Sequence, residues 1–137
     1  EDETTLLSAY HLRKNTVDIS LINSILNASK VEEYRTAVNA IHVEQNLISY
    51  IVKVVNQTRN SPALFLGASP RASLAVLSLS KAIAAMHGRD FVTPDDIKRV
   101  IPSVLKHRVI LTPEKEMEGA TANEVIKQLI EQVEVPR

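Results

Sequence analysis

Gly67-Ala-Ser-Pro-Arg-Ala-Ser-Leu-Ala-Val-Leu-Ser-Leu-Ser-Lys-Ala-Ile-Ala-Ala-Met-His-Gly88 is the stretch on which the reading of this chain turns. From Ala72 to Met86 it runs fifteen residues with Lys81 as the only charge. Ser69 stands at an N-cap position, Pro70 takes the first helical position, where its missing N–H removes no bond, and Gly88 stands where a left-handed C-terminal cap is needed. The spacing predicts one helix, apolar on most faces and therefore the central, buried one. A membrane span is a poorer reading. The stretch falls short of the roughly 20 apolar residues a bilayer requires, and Ser73, Ser78, Ser80 and Lys81 interrupt it.

Outward from this helix the same grammar recurs. Upstream, Leu47, Ile48, Ile51, Val52, Val54 and Val55 form one broad apolar face on a predicted helix over 44–59, too long for a typical strand despite its β-branched residues. Before it, Ser29-Lys-Val-Glu32 has the form of a capping box, followed by a stripe of Val31, Tyr34, Ala37 and Val38. Residues 3–14, with Leu6, Leu7, Tyr10 and Leu12, read as a short amphipathic helix. Downstream, Thr93-Pro94-Asp95-Asp96 opens a helix with acids in its first turn, and Pro102 is expected to interrupt it. Thr121-Ala-Asn-Glu124 starts a last helix with Val125, Ile126, Leu129 and Ile130 inward. The whole is an all-α bundle of about five or six helices. A small two-stranded element is expected near 62–66 and 109–111, where the apolar runs are short.

Composition bounds the rest. A chain of 137 residues supports one domain. Its three glycines, Gly67, Gly88 and Gly119, lie too far apart to write a phosphate-cradling G-x-x-x-x-G-K-[ST] or G-x-G-x-x-G loop. With no Cys there is no disulfide framework, thiol nucleophile or Cys-built zinc site, and the four His are too scattered to suggest a metal site. The 16 basic residues balance 16 acidic ones, which argues against bulk electrostatic capture of nucleic acid or anionic membrane. No basic signal-peptide start and no spanning segment is written, so a soluble, cytoplasmic protein without a membrane partner is expected.

Arg71 breaks a rule that the other helix starts obey. A cation in the first turn opposes the helix dipole. Either Arg71 is solvated or paired with a neighbouring carboxylate, or it completes an anion site with the helix N-terminus, both aimed at one phosphate. Since the chain has no phosphate loop, such an anion has to be presented by another domain.

Three ordered blocks carry a resemblance: Gly67-Ala-Ser-Pro-Arg-Ala72 followed by Leu74, then Gly88-Arg-Asp-Phe-Val-Thr-Pro-Asp-Asp-Ile97, then His107-Arg-Val-Ile-Leu111. Together with Tyr50-Ile51, Thr58-Arg59 and Val135-Pro-Arg137, they resemble the C-terminal lid of MoxR-type AAA+ ATPases over residues 30–137. The resemblance implies a single helical lid domain over 1–137, with 1–15 as the link from an ATPase core that is absent here. It further implies that Arg71 is the sensor 2 residue reaching the γ-phosphate of ATP, with Pro70 bordering the nucleotide. ATP and magnesium would be bound mainly by the core, and no metal by this chain. Walker A and Walker B being absent, the 137 residues alone are expected to be inactive, while the parent hydrolyses ATP. The implied partners are the chain's own ATPase core, neighbouring subunits of a homo-oligomeric ring, a hexamer, and von Willebrand factor A domain proteins. The implied work is chaperone-like remodelling of client proteins.

Other features have plainer readings. The basic residues Lys98, Arg99, Lys106, His107 and Arg108 are expected to pair with Glu114, Glu116 and Glu118 as solvated faces, with a subunit contact ranked second and nucleic acid third. The low rank of nucleic acid rests on Tyr10, Tyr34, Tyr50, Phe65 and Phe91 occupying expected core positions. Val92-Thr-Pro-Asp-Asp-Ile97 after a long helix also resembles a histone-fold junction. That gives an alternative function, a helical dimerisation or DNA-binding module without enzymatic activity.

Overall fold

A computed structural model of the chain describes residues 2–12 and 19–136, except for the side chain of Leu21. The chain divides into two compact units, residues 1–32 and 33–137, the division falling within one helix. The first unit holds α1 (Asp2–Leu12), a 3-10 turn (Ile19–Leu21) and the start of α2 (Ala28–Ala40). No residue of α1 is buried, so the expected helix forms but Leu6, Leu7 and Tyr10 cover no core. Arg13, Lys14 and Asn15, the end of the expected link, lie outside the described residues. The capping box at Ser29 gives way to an earlier cap. The Lys30 N–H donates to Asn27 Oδ1 at 2.8 Å, and Ser29 lies inside the helix. Asn caps as well as Ser does, so the better-placed residue takes the role.

The second unit continues with α3 (Gln45–Asn60), β1 (Leu64–Leu66), α4 (Pro70–Met86), α5 (Pro94–Leu105), β2 (Ile110–Leu111), α6 (Pro113–Met117) and α7 (Ala122–Gln132). The bundle is all-α with the expected two-stranded element, and α6 raises the helix count to seven among the described residues. The strands pair antiparallel, Leu64 opposite Leu111 and Leu66 opposite Ile110, with an irregularity between Leu64 and Leu66. They close a loop around α4 and α5 rather than forming a hairpin.

The core lies where α3, α4, α5 and α7 meet. On α3 the buried residues are Leu47, Tyr50, Ile51, Val54, Val55 and Thr58, one stripe at helical spacing. Val52, assigned to that face from sequence, points away and is 44% exposed. The most apolar helix, α4, packs on both α5 and α3 but is buried along a single row and not on most faces. On α4 only Ala72, Val76, Ser80 and Ala84 are buried, while Leu74 and Met86 are 65% and 81% exposed. A row of small residues at i, i+4 spacing turned inward explains this, because it lets α4 lie close against α5 and α3 and leaves its larger side chains outside. The central positions go instead to Tyr50 of α3 and to Ile97, Ile101 and Leu105 of α5, among the largest fully buried side chains.

Pro102 does not interrupt α5, which runs on to Leu105. An internal proline costs about 3 kcal/mol. Burying Val104 and Leu105 beside Ile97, Val100 and Ile101 offsets that, at roughly 1.5–3 kcal/mol for each full burial. The Thr93–Asp96 and Thr121–Glu124 capping boxes both form as read from sequence. At the end of α4, Gly88 adopts φ +69°. There the Arg89 N–H donates to Ala84 O at 3.0 Å and the Gly88 N–H to Ala85 O at 2.9 Å, the paired bonds of a glycine-terminated helix. Arg89 then turns onto α5 and grips Asp96 with two bonds of 2.8 and 2.7 Å. Burial alone would push the Asp96 carboxyl up, but hydrogen bonds from Arg89 and Thr93 outweigh it and hold the group at about 2. The C-terminal end of α4 is thereby fixed to the start of α5.

The aromatic residues are not core residues, with one exception. Tyr50 is 1% exposed, whereas Tyr10, Tyr34, Phe65 and Phe91 are all at least half exposed. Exposed aromatics are therefore present, and only the charge balance weighs against nucleic acid. The expected pairing of the 98–108 basic residues with the following acids is also not formed among the described residues. Lys115 pairs with Glu118 instead, inside and just beyond α6. No helix among the described residues is long and apolar enough to cross a membrane.

Candidate functional site

The N-terminus of α4 rests on the C-terminus of α3 through a small polar clamp. Thr58, 1% exposed, donates its hydroxyl to Val55 O at 2.6 Å and accepts the Ala68 N–H at 2.9 Å. The next residue, Arg59, donates Nε–H to Ala68 O at 2.8 Å. Both backbone groups of the fully buried Ala68 are thus satisfied by two consecutive side chains. The approach is closer than any side chain permits. A Cβ on Gly67 would lie 2.6 Å from Thr58 O and from Arg59 Cα, which are backbone atoms that cannot swing away.

Beyond Ala68 the chain emerges to solvent. Ser69 is the N-cap, with extended dihedrals but no side-chain cap bond, and Pro70 sits at the first helical position. Ser69, Pro70 and Arg71 are all exposed. Ala72 N–H donates back to Ser69 O at 2.9 Å. Arg71 has no hydrogen-bond or salt-bridge partner among the described residues, so the pairing with a neighbouring carboxylate that its position allowed is not made. The first turn of α4 carries no acidic residue either. An unpaired guanidinium and an uncapped positive helix end therefore face the same solvent, mounted on a backbone held from beneath.

Pro70 and Arg71, consecutive in the chain, are both exposed in the first turn of α4. For the clamp residues Thr58 and Arg59 the sequence offers a family resemblance but no period or cap signal for their role. Gly67 had a visible signal, a glycine three residues before a Pro-initiated helix, but its cause is the tight crossing of α3. The surroundings suit a phosphate: an exposed guanidinium whose planar fork matches two oxygens, and no acidic residue in the turn. His42, His87 and His107 lie elsewhere, His87 Nδ1 contacting Ile83 O at 2.8 Å at the end of α4.

This arrangement has counterparts. The pattern of the AAA lid domain family matches residues 56–129, more than half of the chain, including the whole clamp and α4. The uncharacterized protein YeaC of Bacillus subtilis is 32% identical over 130 residues, covering 95% of this chain and 41% of that protein. Chaperone MoxR1 of Mycobacterium tuberculosis is 36% identical over 104 residues, 69% of this chain and 28% of its own length. A solved structure from Cytophaga hutchinsonii, assigned as an ATPase, is 27% identical and superposes with a TM-score of 0.78 over 98% of this chain and 43% of that one. The chain spans less than half the length of each of these proteins. The match selects the lid over the histone-fold alternative, and the chain belongs to the AAA lid domain family, as a lid of the MoxR type.

Proposed function

We propose that this domain is the nucleotide-responsive lid of an ATP-hydrolysing machine, and that Arg71 is its sensor 2 residue. The observation that carries the reading is the exposed, unpaired Arg71 on the uncapped start of α4, seated by Thr58, Arg59 and Gly67. ATP with magnesium, held mainly by a core domain, supplies the phosphoanhydride that is split. Arg71 places a permanent, forked positive charge where the outer phosphate oxygens gain charge, and the first-turn backbone and Pro70 border the nucleotide. The clamp fixes the backbone from which Arg71 extends, so displacements beyond the reach of its side chain need the whole domain to move. Closure and opening must then be movements of the domain as a body, the form of motion that transmits hydrolysis to a neighbour.

In this reading the lid works in a cytoplasmic homo-hexameric ring, touching its own core and the next subunit, and the cycle remodels client proteins in a chaperone-like way. Von Willebrand factor A domain proteins are the partner class. The likeness to a protein named a chaperone supports the remodelling part. Closure is testable by a distance measurement in the full-length protein. This domain has no Cys, so a dye on Gln128→Cys of the exposed face of α7 labels it at one place. With a second dye on the core, the distance is expected to differ between ATP-bound and ADP-bound states. An identical distance in both states contradicts nucleotide-driven closure.

A further inference from the structure

Strand β2 separates two groups of opposite charge. Before it stand Lys106, His107 and Arg108, and after it, on α6, stand Glu114 and Glu116. Neither group is neutralised among the described residues. Arg108 donates Nε–H to the His107 ring at 3.3 Å and meets no carboxylate, and Lys106 makes no salt bridge. Of the acids, Glu118 alone is paired, with Lys115, which leaves Glu114 and Glu116 without a cation.

Between the charges lies an apolar surface. Val109 and Leu111 are buried in the core, so by strand alternation Arg108, Ile110 and Thr112 turn to the opposite, outer face of β2. Leu66 stands across from Ile110 in the antiparallel pair, and both are about half exposed, with Phe65 beside them more exposed still. The order along this face, cations, apolar centre, anions, decides what fits it. A nucleic acid or an acidic protein seated on the cations would run onto Glu114 and Glu116. A second copy of the same face, rotated by half a turn about an axis through the middle of β2, sets cations over anions at both ends. Arg108 and Glu114 each stand three residues from Leu111, so the rotation that lays Ile110 and Leu66 on their equivalents also directs each Arg108 toward the Glu114 of the other copy.

The geometry points to a self-complementary dimer of this domain through the outer face of β1 and β2, with Leu66 and Ile110 covered at the twofold axis and an Arg108–Glu114 pair at each rim. An apolar centre with a polar rim is the usual anatomy of a protein interface. The face is small and its ion pairs lie at the edge, so the dimer is weak and sensitive to salt. It uses neither Arg71 nor the clamp, so it stands or falls separately from the lid reading.

Sedimentation equilibrium of the 137-residue chain from micromolar to millimolar concentration tests this. In about 0.05 M NaCl the average mass is expected to rise toward that of a dimer, and in about 0.5 M NaCl the affinity is expected to fall by about tenfold or more. Arg108→Glu and Glu114→Arg each place two repulsive pairs in a symmetric contact and are expected to weaken it by more than about tenfold, with melting temperatures close to the parent's. Ile110→Thr keeps a β-branched residue in the strand and is expected to weaken the dimer roughly tenfold. The decisive sample is an equimolar mixture of Arg108→Glu with Glu114→Arg. In a mixed dimer both rims regain opposite signs, so association is expected to return to near the parental affinity. Where a reversal lowers the melting temperature, the milder Arg108→Gln takes its place, expected to weaken the parental dimer severalfold. A parent that stays monomeric at millimolar concentration in low salt, a dimer whose affinity is unchanged by Arg108→Glu or Arg108→Gln, or folded reversal variants that do not associate when mixed each overturn the proposal.

Discussion

The Thr58 hydroxyl accepts the Ala68 N–H at 2.9 Å, and with the Arg59 bond to Ala68 O it joins the end of α3 to the segment that starts α4. Because Thr58 simultaneously donates to Val55 O, both its roles are occupied and the hydroxyl has one orientation. The placement of Arg71, three residues beyond Ala68, follows from this contact and from the absence of a Cβ at Gly67.

Gly67→Ala is expected to destabilise the domain by about 1–3 kcal/mol, because its methyl group would sit against Thr58 and Arg59 backbone. Denaturant unfolding of the 137-residue chain checks it. A midpoint equal to the parent's would mean that the two segments are not held in this close approach.

Asp96 makes stability depend on pH in a defined direction. Its folded pKa, about 2, lies below the ordinary 3.8, so the stabilisation is present above pH 4 and is lost as pH falls through about 2. At neutral pH, Asp96→Asn is expected to cost about 2 kcal/mol. The gap between variant and parent should narrow below pH 4 and close near pH 2, as followed by unfolding at a series of pH values. A gap independent of pH would show that the carboxylate's charge contributes nothing.

Ser80 points into the core between α4 and its neighbours with 0% exposure, and its hydroxyl has no hydrogen-bond partner among the described residues. Ser80→Ala removes a polar group that burial penalises and keeps the small volume of the α4 row. The substitution is expected to raise stability by about 1 kcal/mol, visible as a higher melting temperature. A lower melting temperature would reveal a partner for the hydroxyl.

What could be read from sequence follows the range of the interaction. Most local signals held: the Thr93 and Thr121 capping boxes, the glycine end of α4 and the inward face of α7 depend on residues within one or two turns, while the Ser29 box yielded to a cap at Asn27 and Pro102 did not break α5. Errors arose where burial depends on what lies across the fold. The apolar run 72–86 looked central by composition, yet its small residues face inward and Leu74 and Met86 face out. Phe65 and Phe91 are core residues by type and exposed by position. The Arg89–Asp96 pair is not legible in the sequence because seven residues and a turn separate them, a spacing no helix or strand period marks. In the candidate site Arg71 was visible as a violation of the helix dipole rule, whereas the clamp beneath it pairs residues ten apart and exists only once α3 and α4 are packed.

The central claim is that Arg71 acts on the phosphate of ATP from a domain that folds without needing it. Steady-state ATP hydrolysis by the full-length protein carrying Arg71→Ala tests this most directly, with the melting temperature of the 137-residue variant as the control for folding. The expected result is turnover lowered by roughly 10²-fold or more with the melting temperature unchanged. Hydrolysis at the parental rate by a folded Arg71→Ala protein would contradict the account.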